Sequence, residues 1–225
     1  VRTPGPGTGA RSRDAFCALA VLHLTAIALD QHLVQLATKP LLMPALAAWA
    51  AARGAPRALL AALMCGCAGD VLLEIGGTVP FLLGMAGFAA GHICYLRLFA
   101  ARRLHGHAPG PQHAVYAVVW AVMVALLWPG LDAGLRVPVA AYSLLLTAMA
   151  AAAYGLGPVT ALGGALFLLS DTLIATGLAD WPELPGHDFW IMATYLAAQS
   201  LLAAGAPRAV AADPAYRGAA PITPS

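Results

Sequence analysis

The chain has 225 residues, of which 60% are hydrophobic and 10% charged, at a mean hydropathy of +0.77, and such a composition lies outside the range of ordinary soluble domains. A membrane-crossing helix uses about 20 apolar residues, so this length accommodates roughly eight spans with tails and short loops and no second domain. The net charge of +2, with basic residues spread through loops rather than gathered in a patch, excludes a nucleic-acid surface.

Residues 1–14, rich in Gly, Pro and Arg with no apolar period, read as a disordered tail. Apolar runs then predict spans over about 15–33, 37–52, 57–75, 81–101, 113–128, 138–154, 158–178 and 189–205, followed by a Pro-rich polar tail over 206–225. The first run also has features of a signal peptide, with Arg11 and Arg13 ahead of it and Ala26-Ile27-Ala28 as a small-residue cleavage site. The second run is short for a full crossing, with Pro40 and Pro44 placed in and just after its first turn.

Charge tests this count independently, because Lys and Arg collect on the cytoplasmic side. With eight spans, the tails and the loops after spans two, four and six hold Arg2, Arg11, Arg13, Arg53, Arg57, Arg97, Arg102, Arg103, Arg208 and Arg217, ten of the twelve basic residues. Lys39 and Arg136 fall on the other side. The expected architecture is therefore an all-α membrane protein, an eight-transmembrane-helix bundle with both termini cytoplasmic, and its Ala- and Gly-rich composition suggests a bacterial inner (cytoplasmic) membrane.

Cys17, Cys65, Cys67 and Cys94 all lie in apolar runs, where thiols act as small hydrophobes. Cys65 and Cys67 point about 200° apart on a helix and cannot share a ligand face, so neither a disulfide nor a metal site is expected. Gly84, Gly87 and Gly91 in span four, and Gly163 and Gly164 in span seven, repeat at spacings that let neighbouring helices approach closely.

Two carboxylates break the apolar pattern. Asp70 lies in span three and Asp171 in span seven, and an Asp at the centre of a spanning helix costs about 2.5–3.5 kcal/mol, so each requires a partner or a task. Both lie about 13 residues, roughly 20 Å, from the cytoplasmic ends of helices that run in the same direction. If those helices face each other, the two acids share a site in which one is protonated and the other charged, an acid–base pair. Glu74, His92, Tyr95, Tyr142, Ser143, Tyr195 and Gln199 reach similar levels, Ser170 and Thr172 flank Asp171, and Lys39 at the outer mouth is placed to meet a lipid phosphate. The structural alternatives are a packing histidine at His92, interhelical hydrogen bonds from the tyrosines, and back-bonding of Ser170 and Thr172 to their own helix. Glu74 reads equally as an interfacial charge, and Lys39 as a loop end.

The sequence resembles the lysoplasmalogenase family of YhhN-like integral membrane proteins. The resemblance is carried by Thr38-Lys39-Pro40-Leu41, by Gly69-Asp70-Val71-Leu72-Leu73, and by Phe81-Leu82-Leu83-Gly84 with Gly91-His92-Ile93-Cys94-Tyr95. It continues with Tyr142 and Met149, the run from Gly164 to Asp171, and Tyr195-Leu196-Ala197-Ala198-Gln199. It implies an eight-helix enzyme that hydrolyses the vinyl ether bond of lysoplasmalogens to a fatty aldehyde and a glycerophospho-alcohol, with Asp70 and Asp171 as the catalytic pair. It also implies a lysophospholipid substrate drawn from among membrane lipids and no cofactor. Lys39, Glu74, His92, Tyr95, Tyr142, Ser170, Tyr195 and Gln199 are then candidate substrate-binding residues. The chemistry matches that of glycosidase carboxylate pairs, where an acid protonates and a carboxylate stabilises an oxocarbenium ion and activates water. A proton-coupled transporter would place acids in the membrane equally well, though no inverted repeat or pair of broken helices is apparent. An intramembrane aspartyl protease has only Gly69-Asp70 in its favour.

Overall fold

A computed structural model describes residues 6–103 and 110–211. These form eight helices: α1 (Pro6–Ala28), α2 (His32–Ala52), α3 (Arg57–Ile75), α4 (Thr78–Arg103), α5 (Gln112–Leu127), α6 (Ala133–Tyr154), α7 (Pro158–Leu178) and α8 (His187–Ala211). Six of them, α2, α3, α4, α6, α7 and α8, are long and apolar enough to cross a membrane. Of the other two, α5 is apolar but only 16 residues long, and α1 carries Arg11, Arg13 and Asp14 in its first half.

Several boundaries differ from the sequence reading: α1 ends at Ala28, α4 begins at Thr78, and α6 begins at Ala133 with Pro138 in its interior. α1 begins at Pro6, so residues 6–14 of the expected tail are helical; proline suits a first helical turn, and the apolar run from Ala15 carries the helix back through Gly7 and Gly9. Residues 1–5 lie outside the described residues. α2 is a full 21 residues, because it begins at His32, and Pro40 and Pro44 are therefore interior. Interior proline removes a backbone hydrogen bond, and here the Pro40 carbonyl accepts from Cys67 Sγ of α3 at 3.4 Å. α8 continues to Ala211, past the expected start of the C-terminal tail, and 212–225 lie outside the described residues.

Chain neighbours pack against each other from α1 to α4 and again from α5 to α8. α4 also meets α6, and α8 reaches back to α1, α2 and α4, which closes the bundle around α8. The α3–α4 hairpin is the tightest of these pairs. Its loop is only Gly76-Gly77, both in the left-handed region at φ +75° and +86°, where a side chain would be strained. Above the loop, a Cβ at Gly87 would lie 3.2 Å from the Gly69 nitrogen and one at Gly91 3.2 Å from the Ala62 carbonyl oxygen, so backbone meets backbone along the seam. Gly163 does the same against Leu202 and Ala198 of α8. In a bilayer such contact, rather than expulsion of water, holds helices together.

The main core gathers Leu42, Met43, Leu59, Leu63, Phe99, Met149, Phe167 and Leu202, all fully buried. A second, smaller cluster of Leu127, Leu131, Val139 and Ala179 ties α5, α6 and α7 together where α6 begins. Leu33, Val21, Val79, Val118 and Val137 point outward, the pattern of a bundle surrounded by hydrocarbon rather than water.

Candidate active site

The α3–α4 hairpin carries Asp70 inward on the glycine seam, where it is only 5% exposed. Its carboxylate Oδ2 accepts from the Tyr195 hydroxyl of α8 at 2.9 Å. That hydroxyl in turn accepts from Gln199 Nε2 at 3.4 Å, and Gln199 Oε1 accepts from the Tyr95 hydroxyl of α4 at 2.6 Å. Tyr195 and Gln199 are one turn apart and share a face of α8. Each side chain in this network has a hydrogen-bond partner, as burial in a low-dielectric interior demands.

Asp171 is held separately. The Tyr142 hydroxyl of α6 donates to its Oδ2, and His92 Nε2 of α4 lies 3.1 Å from the same hydroxyl. Phe167, one turn before Asp171, packs its ring 4.8 Å from His92 and 5.5 Å from Tyr195, centroid to centroid. Phe88 completes the wall at 5.9 Å from Tyr195 and 6.5 Å from Phe167. Phe88, Phe167 and Tyr195 thus form one ring cluster, which meets the first network through Tyr195 and the second through His92, and Asp70 lies within electrostatic reach of Asp171, Lys39 and Glu74.

Two clefts open onto Asp171. The larger, about 670 Å³ counting its open mouth, runs between α5, α6 and α7 and is lined by Tyr142, Asp171, Trp120, Ser143 and Arg136 amid apolar side chains. The smaller, about 420 Å³ on the same measure, is walled by Leu73, Phe81, Met85 and Phe88 on the far side of Tyr142 and Asp171. A mostly apolar cavity with a few convergent polar groups is the usual form of a small-molecule site.

Among the candidates from sequence, the structure joins Asp70, Tyr95, Tyr195 and Gln199 in one network and His92, Tyr142 and Asp171 in the other. Ser170 is not in either: its hydroxyl donates to the Ile191 carbonyl at 3.0 Å, buried between α7 and α8, because it projects from a different side of α7 than Asp171 does. Lys39 and Glu74 pair with each other at 2.6 Å and line a third cavity, with Leu36, Pro40, Val71 and Ile75, apart from Asp171. Phe88, Phe167, Trp120 and Arg136 carry no site signal in the sequence. Phe167 lies inside the run that ends in Asp171, whereas Phe88 differs from any core aromatic only by facing the Gly66 and Gly69 positions of the seam.

A family model for the YhhN family matches residues 34–206, a stretch that includes every residue of both networks. The chain belongs to the YhhN family. Its similarities extend to the lysoplasmalogenase TMEM86B of Homo sapiens, 33% identical over 162 residues, which are 69% of this chain and 66% of that protein. The protein of the same name from Sus scrofa is 36% identical over 64% of this chain and 61% of its own length, and that from Rattus norvegicus is 32% identical over 76% and 71%. The aligned part thus spans slightly under two thirds of the human and pig proteins. No solved structure matches the chain.

Proposed function

We propose that this YhhN-family protein is a membrane-embedded hydrolase that cleaves the vinyl ether bond of lysoplasmalogen-type lysophospholipids, releasing a fatty aldehyde and a glycerophospho-alcohol, with both its termini on the cytoplasmic side. Its similarity to lysoplasmalogenases supports the reaction class. The observation that carries the reading to residues is the placement of Asp171 on the wall of an apolar cavity, with Asp70 in the adjoining network.

The reaction needs a proton at carbon, then water. A carboxylic acid protonates the outer carbon of the vinyl ether, leaving an oxocarbenium ion at the carbon bonded to oxygen. The carboxylate of the pair stabilises that cation and takes a proton from water as its oxygen adds, giving a hemiacetal. The second acid then gives its proton to the glycerol oxygen as the carbon–oxygen bond breaks, and the carboxylate left by the first takes the proton of the hemiacetal hydroxyl as the aldehyde forms. One water is consumed and both acids return to their starting states. Asp171 lies where substrate enters. Tyr142 and Tyr195 each anchor one carboxylate oxygen, leaving the other free for proton transfer. Phe88, on the wall of the smaller cleft beside Asp171, presents a ring that suits a developing cation or a hydrocarbon chain.

The test is to incubate purified protein with vinyl ether, alkyl ether and acyl lysophospholipids of one chain length and follow aldehyde and head-group release. The proposal expects stoichiometric release from the vinyl ether alone. Transport of these lipids into proteoliposomes without product would instead favour a carrier.

A further inference from the structure

The larger cavity is ordered along its length. Arg136 lines it at the end where α6 begins. Its Nε donates to the Leu131 carbonyl at 3.1 Å, and its guanidinium carbon sits 5.9 Å from the Trp128 ring centroid. The ion pairs among the described residues are Arg13–Asp14 and Lys39–Glu74, so the terminal N–H groups of Arg136 meet no carboxylate. Tyr142, which holds Asp171, lies six residues further along the same helix, about 9 Å at 1.5 Å per residue. Another turn on, Leu146 and Leu168 make the wall apolar. The sequence of groups is therefore cation, carboxyl, hydrocarbon.

A single-chain phospholipid has the complementary order of phosphate, ether and chain. Five bonds of about 1.5 Å each separate its phosphorus from the ether oxygen, so a phosphate on the guanidinium leaves the ether near the level of Asp171. We propose that this cavity is the lysophospholipid site, with the phosphate on Arg136, the ether bond at Asp171, and the chain between α5 and the α6–α7 pair. The inference rests on the hydrolase reading given above and moves the phosphate away from Lys39, whose ammonium is engaged by Glu74 in a separate cavity. A guanidinium fork fits phosphate oxygens in pairs, and Arg136 is half-buried at a hydrocarbon boundary, where an unneutralised charge is costly.

The experiment compares a lysoplasmalogen with the 1-alkenylglycerol of the same chain, which lacks only the phosphate head group, in wild type, Arg136→Gln, Arg136→Lys and Lys39→Gln. Arg136→Gln should raise KM for the phospholipid about tenfold, the loss of one charge-assisted contact, and leave alkenylglycerol turnover within about twofold. Arg136→Lys should retain part of the preference for phosphate, and Lys39→Gln should keep it unchanged. An unaltered preference in Arg136→Gln, an equal loss on both substrates, or a preference that collapses in Lys39→Gln would overturn the assignment. Equilibrium binding of the saturated alkyl-ether lysophospholipid against its alkylglycerol gives the same comparison without turnover. Wild type that binds the former at least tenfold tighter through Arg136, yet cleaves nothing, would leave the site standing and defeat the hydrolase reading; equal binding of both would defeat the site.

Discussion

Tyr142 joins two residues that no span of sequence connects: its hydroxyl donates to Asp171 on α7 and lies 3.1 Å from His92 Nε2 on α4. A phenol has one proton to give. Since Asp171 receives it, His92 donates from Nε2, which leaves Nδ1 as a lone pair, and that atom is buried without a hydrogen-bond partner among the described residues.

Tyr142→Phe removes the anchor on Asp171 and keeps the ring. It should lower kcat by about 10- to 100-fold, a barrier rise of about 1.4–2.7 kcal/mol, with KM changed by less than about threefold. Steady-state aldehyde release checks this. A rise in KM at constant kcat would instead make Tyr142 a substrate-binding group.

Protonation at carbon leaves a permanent mark. Turnover in D₂O should place one deuterium on the carbon next to the aldehyde, and mass spectrometry of the trapped product reads it. Aldehyde released without that deuterium would point to another route to cleavage.

Much of this arrangement was legible in the chain. Asp70 and Asp171 stand out because charge in an apolar run is costly, and helical spacing puts Tyr195 and Gln199 on one face. What spacing does not carry is which helices meet. α4 packs on α3 and α8 packs on α7, and Phe88 of α4 meets Phe167 of α7 edge to face, yet no periodicity distinguishes those rings from core aromatics. Ser170 flanks Asp171 in sequence, yet consecutive helical residues point about 100° apart, and its hydroxyl meets the α8 backbone rather than the Asp171 network. α2 reaches further than its prolines suggest for a similar reason: proline argues for a helix start, and packing against neighbouring helices makes an interior proline tolerable.

The glycine seam sets the position of Asp70. Gly87→Leu should push α3 and α4 apart, since its Cβ alone would lie 3.2 Å from the Gly69 nitrogen. Overpacking of this kind costs about 1–3 kcal/mol, so thermal unfolding in detergent should occur at a lower temperature than in wild type, with activity lost alongside. Ala at the outward-facing Leu83 of the same helix, 53% exposed, is the matched control and should change neither.

The most direct measurement is aldehyde release from a lysoplasmalogen by purified wild type, Asp70→Asn and Asp171→Asn, each shown by thermal unfolding to be folded. Asparagine keeps the size of each side chain and removes its acid–base chemistry. The account predicts release by wild type and a fall of at least about a thousandfold in each variant, roughly 4 kcal/mol of barrier. Wild-type rates in either folded variant would contradict the paired-acid mechanism.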